Sequence, residues 1–574
     1  MHNNVIVAVS KSFNRTIGVK APGSRLRFRV YQGRSFTTTS CLLRHDPQNE
    51  LAGKGPGACR SATRPDQSQY PTGLMWLAKG HPPAVDSASA LSMIKEHQSQ
   101  DAARDETVVL LATPQLAHFL DLDGFLRSAM EAIYGSLRTK TASGNLKKVR
   151  SVTAVVDALP EPFSTADKAT NPGPVLSEGL ALLLSSAAHS DKSTYRATDD
   201  EVNPVTLSFS SSEAHGGGAP GQLTGLVRHI SLPVANTIFV NGTRATLLED
   251  SWDIMTRDSE SAVVAHRDRR PLQNFRIDMG CGADEFLNGS IPLRSLTRPR
   301  KVVRSMGNVL AQIEVDGKPV PASRELEEAV TRYTKTLPTH ATRGPVQVFA
   351  LVRPPRTASI HDEGQEDSTT LDYEHKQASS RILSGLWQDA KLFKVTGGGG
   401  GWGKRQGLLS LDTAVDFAAN EATVGFPDFD TAEDLSHEVG SHGMIPQGGT
   451  VEFLLSSDDE APSSLSASSG TQGQSAVQQM DDAATSFIVG TAANPDMQDY
   501  WEDVTSSTDS GVSFYPNHFG VISYGGAALG SDELLGSNET VDSPRERSRN
   551  SSRTRLDVPN SFFILQAGQI LAKK

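Results

Sequence analysis

A mixed α/β or α+β fold follows from three features of the sequence. An apolar run, a helical stripe and a second apolar run succeed one another between 107 and 159; Asn-Gly and Asp-Gly dipeptides sit between apolar residues; and Ser-, Gly- and Asp-rich stretches interrupt the pattern. The expected architecture is one or more mixed sheets carrying a single β-α-β unit and hairpins, with long disordered insertions. At 574 residues the chain has room for roughly three or four domains. Its hydrophobic content of 37% lies below the ~45–50% of globular chains, so one or two packed bodies joined by disordered segments are expected instead.

Residues 44–104 are rich in Pro, Gly, Ser and Gln and read as a disordered linker, with at most a short docked piece at Leu74–Leu77. An α/β domain is expected over 105–338. Its first strand is Thr107–Thr113, TVVLLAT; Leu122, Phe125, Leu126, Ala129, Ile133 and Leu137 then recur at helical spacing; and Val152–Leu159 completes the parallel β-α-β unit. Val205–Phe209 alternates as a strand, and HGGGAPGQLTG reads as an exposed loop. Ile238 and Val240 precede Asn241-Gly242, with Ala245 and Leu247 beyond, which predicts a type I′ hairpin because both turn residues need positive φ. A second hairpin is expected in VLAQIEVDGKPV, turning at Asp316-Gly317. Leu326, Ala329, Val330 and Tyr333 then form the stripe of a helix preceded by Pro321 and capped by Ser323.

A second α/β segment is expected over 344–574. It opens with a strand at Val346–Val352, ended by Pro354-Pro355, and passes through an acidic loop. A helix from about His375 to Asp389 follows, then an LFKV strand that runs into five glycines. Late strands are expected in VSFYPNHFGVISY and SFFILQAGQIL, with disordered insertions near 456–480 and 531–556. The chain shows no internal repeat of 20–50 residues.

Charge is distributed unevenly. Eight basic residues precede the first acidic one, Asp46, in a segment rich in Ser and Thr, which is the composition of an organelle transit peptide. RSFTTTSCLL has the form of a two-step mitochondrial processing site, with Arg34 ten, Phe36 eight and Thr39 five residues before a cut after Leu43. A presequence over 1–43 and a mitochondrial address, in the matrix or on the matrix face of the inner membrane, are therefore expected. A cationic leader gains about 2.3 kcal/mol per charge per 100 mV on the negative side of an energised membrane. Loss of 1–43 removes seven basic residues and no acidic one, which takes the formal charge from −11 to −18 and argues against nonspecific nucleic-acid binding by the body as a whole. No apolar run approaches the ~18–20 residues of a membrane-spanning helix, and three Cys are too few for a disulfide scaffold.

Four segments carry residue types suited to chemistry. Gly398, Gly403 and Lys404 reproduce G-x-x-x-x-G-K after a strand, but Arg405 stands where Ser or Thr would hold Mg²⁺, and Gly407 where a helix should begin. A phosphate could still be cradled by Gly398, Gly403, Lys404 and Arg405; a permissive loop that lets Trp402 pack back is the preferred expectation. His437, Glu438 and His442 lie close together in HEVGSH, at a spacing of five instead of the i, i+4 of zinc proteases, so exposed polar residues are expected and no metal. Cys281 lies between glycines with no local His and reads as a packed residue. Lastly, Arg267, Arg269, Arg270, Arg276, Arg294, Arg298, Arg300, Lys301 and Arg304 face only four acidic residues in their window, a basic patch of net +5. Phe275 and Phe286 are its only aromatic residues, too few for base-specific RNA reading.

The segments LPVANTIFVNG, PASRELEEAV and TGGGGGWGKRQGLLSLD resemble uncharacterised mitochondrial proteins of filamentous fungi. That resemblance implies a mitochondrial address and no particular activity. The functional expectation is a non-enzymatic accessory or assembly protein, with no cofactor. It would dock RNA, a ribonucleoprotein or an inner-membrane complex through Arg267, Arg269, Arg270, Arg294, Arg298, Arg300, Lys301 and Arg304. The alternative is an enzyme or binding protein for a phosphorylated small molecule, using the Gly397–Gly403 loop.

Overall fold

The run TVVLLA is apolar on consecutive residues because both of its faces are covered. In the computed structural model, Val109 and Leu111 enter one core with Met75, Leu77, Val152, Ala154, Ala181 and Leu183. Val108 and Leu110 enter another with Leu74, Trp76, Leu180, Leu182 and the helical residues Ile94, Met130 and Ile133. Alternation with period two thus divides one strand between two cores, each buried Leu or Val contributing about 1.5–3 kcal/mol. The structure describes residues 72–79, 85–97, 107–135, 146–163, 174–185, 188–189, 204–211, 225–257, 261–279, 286, 288–336, 347–355, 375–398, 407–412, 445–456, 485–494, 511–534 and 551–567.

The protein has a mixed α/β fold in which strands predominate. The first sheet runs in spatial order Ser261–Pro271, Leu247–Arg257, Leu146–Val155, Thr107–Ala112, Leu176–Ser185, Thr72–Lys79 and Gly511–Pro516. Its one parallel pair is Thr107–Ala112 with Leu146–Val155, and the helix Arg127–Tyr134 lies between them in the chain, so the β-α-β unit is present. Gly179 permits the close approach of Leu176–Ser185 to Thr72–Lys79: a Cβ there would stand 2.2 Å from Trp76 O.

Thr72–Lys79 and the helix Ser87–Glu96, capped by Asp86, lie inside the expected linker, which is corrected to that extent. The strand forms because LMWLA offers apolar side chains to both cores at once. The Asn241-Gly242 hairpin is also corrected. Ile238–Asn241 forms one helical turn closed by Gly242 at φ 79°, and only Asn236 and Ala245 bridge. Local side-chain bonds outcompete the ladder here: Thr237 Oγ1 donates to Thr243 O at 2.8 Å and Asn241 Nδ2 to Thr246 Oγ1 at 2.7 Å.

A second sheet orders Ser551–Leu556, Ala527–Leu534, Gly225–Pro233, Thr206–Ser210, Asn274–Asp278 and Ala188–His189. A third orders Gly289–Ser290, Phe562–Ala567, Thr485–Thr491 and His518–Ser523. Ser551–Leu556 and the end of Ala527–Leu534 are strand within the insertion expected near 531–556, which is corrected to that extent; residues 535–550 lie outside the described residues. Residues 457–484, covering the insertion expected near 456–480, lie outside the described residues apart from the strand end at Ser456.

The remaining strands close on themselves. Val348–Arg353, Thr450–Ser456, Arg300–Met306, Val309–Val315, Leu409–Leu411 and Lys391–Gly398 pair antiparallel in that order, and the last returns to the first. This six-stranded ring encloses Val302, Leu310, Ile313, Ala350, Val352, Phe393, Leu409, Val451, Phe453 and Leu455. The helix Ala322–Thr336 seals it with Ala322, Leu326 and Ala329. The hairpin at Asp316-Gly317 is present, joining Val309–Val315 to Lys318–Pro321 with φ of 49° and 73° at the tip. The sequence division into 105–338 and 344–574 is not a division of the sheets. Gly511–Pro516 pairs with Thr72–Lys79, Ala527–Leu534 with Gly225–Pro233, and Thr450–Ser456 with Arg300–Met306. Local periodicity carries no information about partners hundreds of residues away.

Candidate functional site

The basic window separates into paired and unpaired cations. Arg267, Arg269 and Arg270 lie on Ser261–Pro271, beside the acidic strand Leu247–Arg257. Arg269 donates twice to Asp250, at 2.8 and 3.1 Å, and once to Leu120 O at 3.3 Å; Asp250 is fully buried and also meets His266 Nε2 at 2.9 Å. Arg267 pairs with Asp253, and Arg270 with Asp268, whose carboxyl the guanidinium hydrogen bond holds below its usual range. On the ring, Arg300 donates to Glu325 Oε1 at 3.2 and 2.9 Å, and the Arg294 guanidinium stands 5.9 Å from the Tyr333 ring centre. Arg267, Arg269 and Arg300 are counterions of the buried carboxylates Asp253, Asp250 and Glu325, while Arg270 pairs with the exposed Asp268. A surface spanning all eight residues is therefore corrected: they are shared between two sheets, and at least four of them are neutralised.

Arg298, Lys301 and Arg304 are different. All three are exposed and have no ion pair among the described residues. They lie at or just before strand Arg300–Met306 of the ring, where Val303 and Met306 are also exposed, at 38% and 78%. Arg276, on the second sheet, is a further exposed cation.

The strands that flank the glycine segment differ from the setting of a phosphate loop. Strand Lys391–Gly398 pairs antiparallel with Leu409–Leu411, the next described element, and residues 399–406 between them lie outside the described residues. A phosphate loop must lead from a strand into a helix whose first amides and dipole meet the anion, and among the described residues the next element here is a strand. Gly398 faces Leu409 closely, since a Cβ there would stand 2.4 Å from Leu409 Cδ2. Gly403, Lys404 and Arg405 lie outside the described residues, as do Cys281, His437, Glu438 and His442. Among the described residues no group of three His, Cys, Asp or Glu side chains is placed to hold a metal.

Two arrangements had no sequence signal. Lys394, Asp412, Arg555 and Asp557 gather around a depression lined by Phe349 and Leu392, with room for no more than a water molecule. Arg555 Nε donates to Asp557 Oδ1 at 2.7 Å; burial pushes the Asp557 carboxyl up, and Arg555 partly offsets this. The second is Glu452, 1% exposed, which accepts from Arg381 Nη1 at 2.7 Å and from Ser295 Oγ at 2.6 Å, with Arg353 Nη1 at 3.6 Å. Both bring together residues far apart in sequence, Glu452 reaching Arg381 across 71 positions and Ser295 across 157.

No protein-family model, curated protein or solved structure matches this chain. Among the described residues no helix is long and apolar enough to cross a membrane.

Proposed function

We propose that this chain is a non-catalytic accessory or assembly protein of the mitochondrial matrix, or of the matrix face of the inner membrane. It docks an anionic partner, RNA, a ribonucleoprotein or an inner-membrane complex, through Arg298, Lys301 and Arg304. One observation carries the reading: these three cations stand exposed at one ring strand with no carboxylate on them among the described residues, while Arg267, Arg269, Arg270 and Arg300 are paired. A cation without a counterion keeps its attraction for phosphate or carboxylate, whereas a paired one must first break its own bond. Val303 and Met306 add apolar contact beside the charges. The acid-free leader supports the address.

The test is charge reversal of the whole group, R298E with K301E and R304E, in the full chain. Co-sedimentation with the anionic partner is expected to disappear. With RNA as the partner, the log–log dependence of affinity on salt should lose a slope of about two to three. Sedimentation equal to that of the unaltered chain discards the proposal. All three residues are exposed, so an unchanged melting temperature separates lost binding from lost folding.

A further inference from the structure

The outward face of ring strand Arg300–Met306 is built irregularly. Its register against Val309–Val315 shifts between Val302 and Arg304 and again between Arg304 and Ser305. Val302 is buried in the ring, and strict alternation would turn Arg304 inward after it, yet Val303 and Arg304 are both exposed. Lys301, Val303, Arg304 and Met306 therefore all stand in solvent, and Met306 is, after Phe239, the most exposed large apolar side chain among the described residues. The other edge of the strand is occupied. Val302 N donates to Gly449 O at 2.7 Å, Gly448 N to Val302 O at 2.9 Å, Ile445 N to Gly307 O at 3.0 Å and Ser305 Oγ to Ile445 O at 2.7 Å. A partner cannot add a strand here and must bind through the exposed side chains.

We infer that the partner docked by Arg298, Lys301 and Arg304 is an acidic polypeptide segment with apolar residues between its carboxylates, and not a nucleic acid. The inference rests on the docking reading above and names its ligand. Three exposed cations are interleaved with the aliphatic Val303 and Met306, so a complementary ligand offers anions and apolar side chains together. Met adapts well to such a partner, because its flexible thioether fills irregular gaps. A nucleic acid offers phosphates without aliphatic surface, and its bases stack on aromatic rings, of which this strand has none. Extent argues the same way. Lys301 to Met306 covers only about 17 Å of strand. The adjoining elements carry carboxylates: Glu314 and Asp316 on the next strand and its turn, and the exposed Glu327 and Glu328 on the sealing helix. A phosphate chain that runs past the three cations meets those charges unscreened wherever it comes within the Debye length of about 8 Å. A peptide can set a few carboxylates on the cations and neutral residues elsewhere.

The experiment pans the full chain against a displayed library of random peptides and, in parallel, against a pool of random single-stranded RNA. The R298E, K301E and R304E chain serves as counter-selection. Peptides that combine Asp or Glu with Leu, Ile, Val or Phe are expected to enrich on the unaltered chain alone. An enriched peptide, labelled and titrated by fluorescence anisotropy, should bind the double variant Val303→Ser, Met306→Ser about tenfold more weakly, since its apolar contact is lost. Met306→Leu should retain binding. Both side chains are exposed, so an unchanged melting temperature separates lost contact from lost folding. Enrichment of RNA that charge reversal abolishes overturns the inference and leaves the docking reading in place; enrichment of neither pool overturns both. Equal binding of the peptide by the double variant overturns the inference, because charge alone then suffices. So does a self-association that charge reversal abolishes with no acidic peptide enriched, which would give the surface to a second copy of this chain.

Discussion

Asp157 shows how one side chain holds distant parts of the chain together at an energetic cost. Its Oδ2 accepts from Tyr524 N at 2.7 Å and lies 3.3 Å from Ser523 Oγ, across 367 and 366 positions of sequence. Burial raises its carboxyl above the usual value, and the bonds from Tyr524 and Ser523 offset only part of that. A raised folded pKa means that the folded state binds the proton more tightly than the unfolded chain. The stabilising effect of protonation is therefore present in acid and is lost as pH rises from the ordinary carboxylate value, 3.8, through the raised one. Asp157→Asn retains an acceptor for Tyr524 N without an ionisation cost, so at pH 7 its melting temperature should equal or exceed that of the unaltered chain, with the gap closing in acid. Asp157→Ala removes the acceptor of the part-buried Tyr524 N–H and should cost about 1–3 kcal/mol. Thermal melts at pH 4 and pH 7 check both; an Asn variant as unstable as the Ala variant at pH 7 would show that the charge itself is stabilising. The same scale explains what the sequence hid about the basic window. Its nine cations outnumber the acids nearby, but Asp250, Asp253 and Glu325, which neutralise Arg269, Arg267 and Arg300, lie outside the window. A local charge count cannot register a counterion supplied by a neighbouring strand.

At the scale of the element, legibility depended on whether the decisive interactions were local. The β-α-β unit was readable because a period of two and a period near 3.6 are both written in the chain itself. The Asp316-Gly317 hairpin was readable for the same reason, and both tip residues have positive φ. Gly317→Val should therefore destabilise the protein by about 1–2 kcal/mol in denaturant titration, because a β-branched residue resists that conformation. Asn241-Gly242 carries an identical signal and gives a different structure. Asn and Gly also close a helical turn, and Thr237, Thr243 and Thr246 supply the side-chain bonds that decide between the two. The glycine segment shows the converse. Its motif fits a phosphate loop on paper, but the strand after it pairs back onto the strand before it. Equilibrium dialysis against nucleotides and phosphorylated metabolites is accordingly expected to show no saturable binding at millimolar ligand, and saturation would restore the alternative reading. The clusters around Asp557 and Glu452 lay beyond any sequence argument, since each needs widely separated strands and helices to meet.

For the whole molecule, the interlocking of early and late strands sets what can be removed. Ala527–Leu534 sits between Gly225–Pro233 and Ser551–Leu556, and Phe563, Leu565, Phe487 and Phe519 complete the core that Met75 and Val109 also enter. A truncation ending at residue 456 removes one wall of that core. It should lose the cooperative thermal transition and the near-ultraviolet circular dichroism of the intact chain; a truncated chain that melts cooperatively would mean that the late strands are an appendage. Truncation to 344–574 should fail likewise, because its ring lacks Arg300–Met306 and Val309–Val315.

The pairing of Thr72–Lys79 with Gly511–Pro516 also governs how the protein is made. A ribosome delivers Trp76 and Leu77 long before their last partner strand exists, and until then that flank offers unsatisfied amides and carbonyls to any passing β-segment. The nascent polypeptide thus carries an adhesive border through most of its elongation. Shielding by a holding chaperone would suppress misassembly at that border, and slowing translation near the carboxyl end would aggravate it.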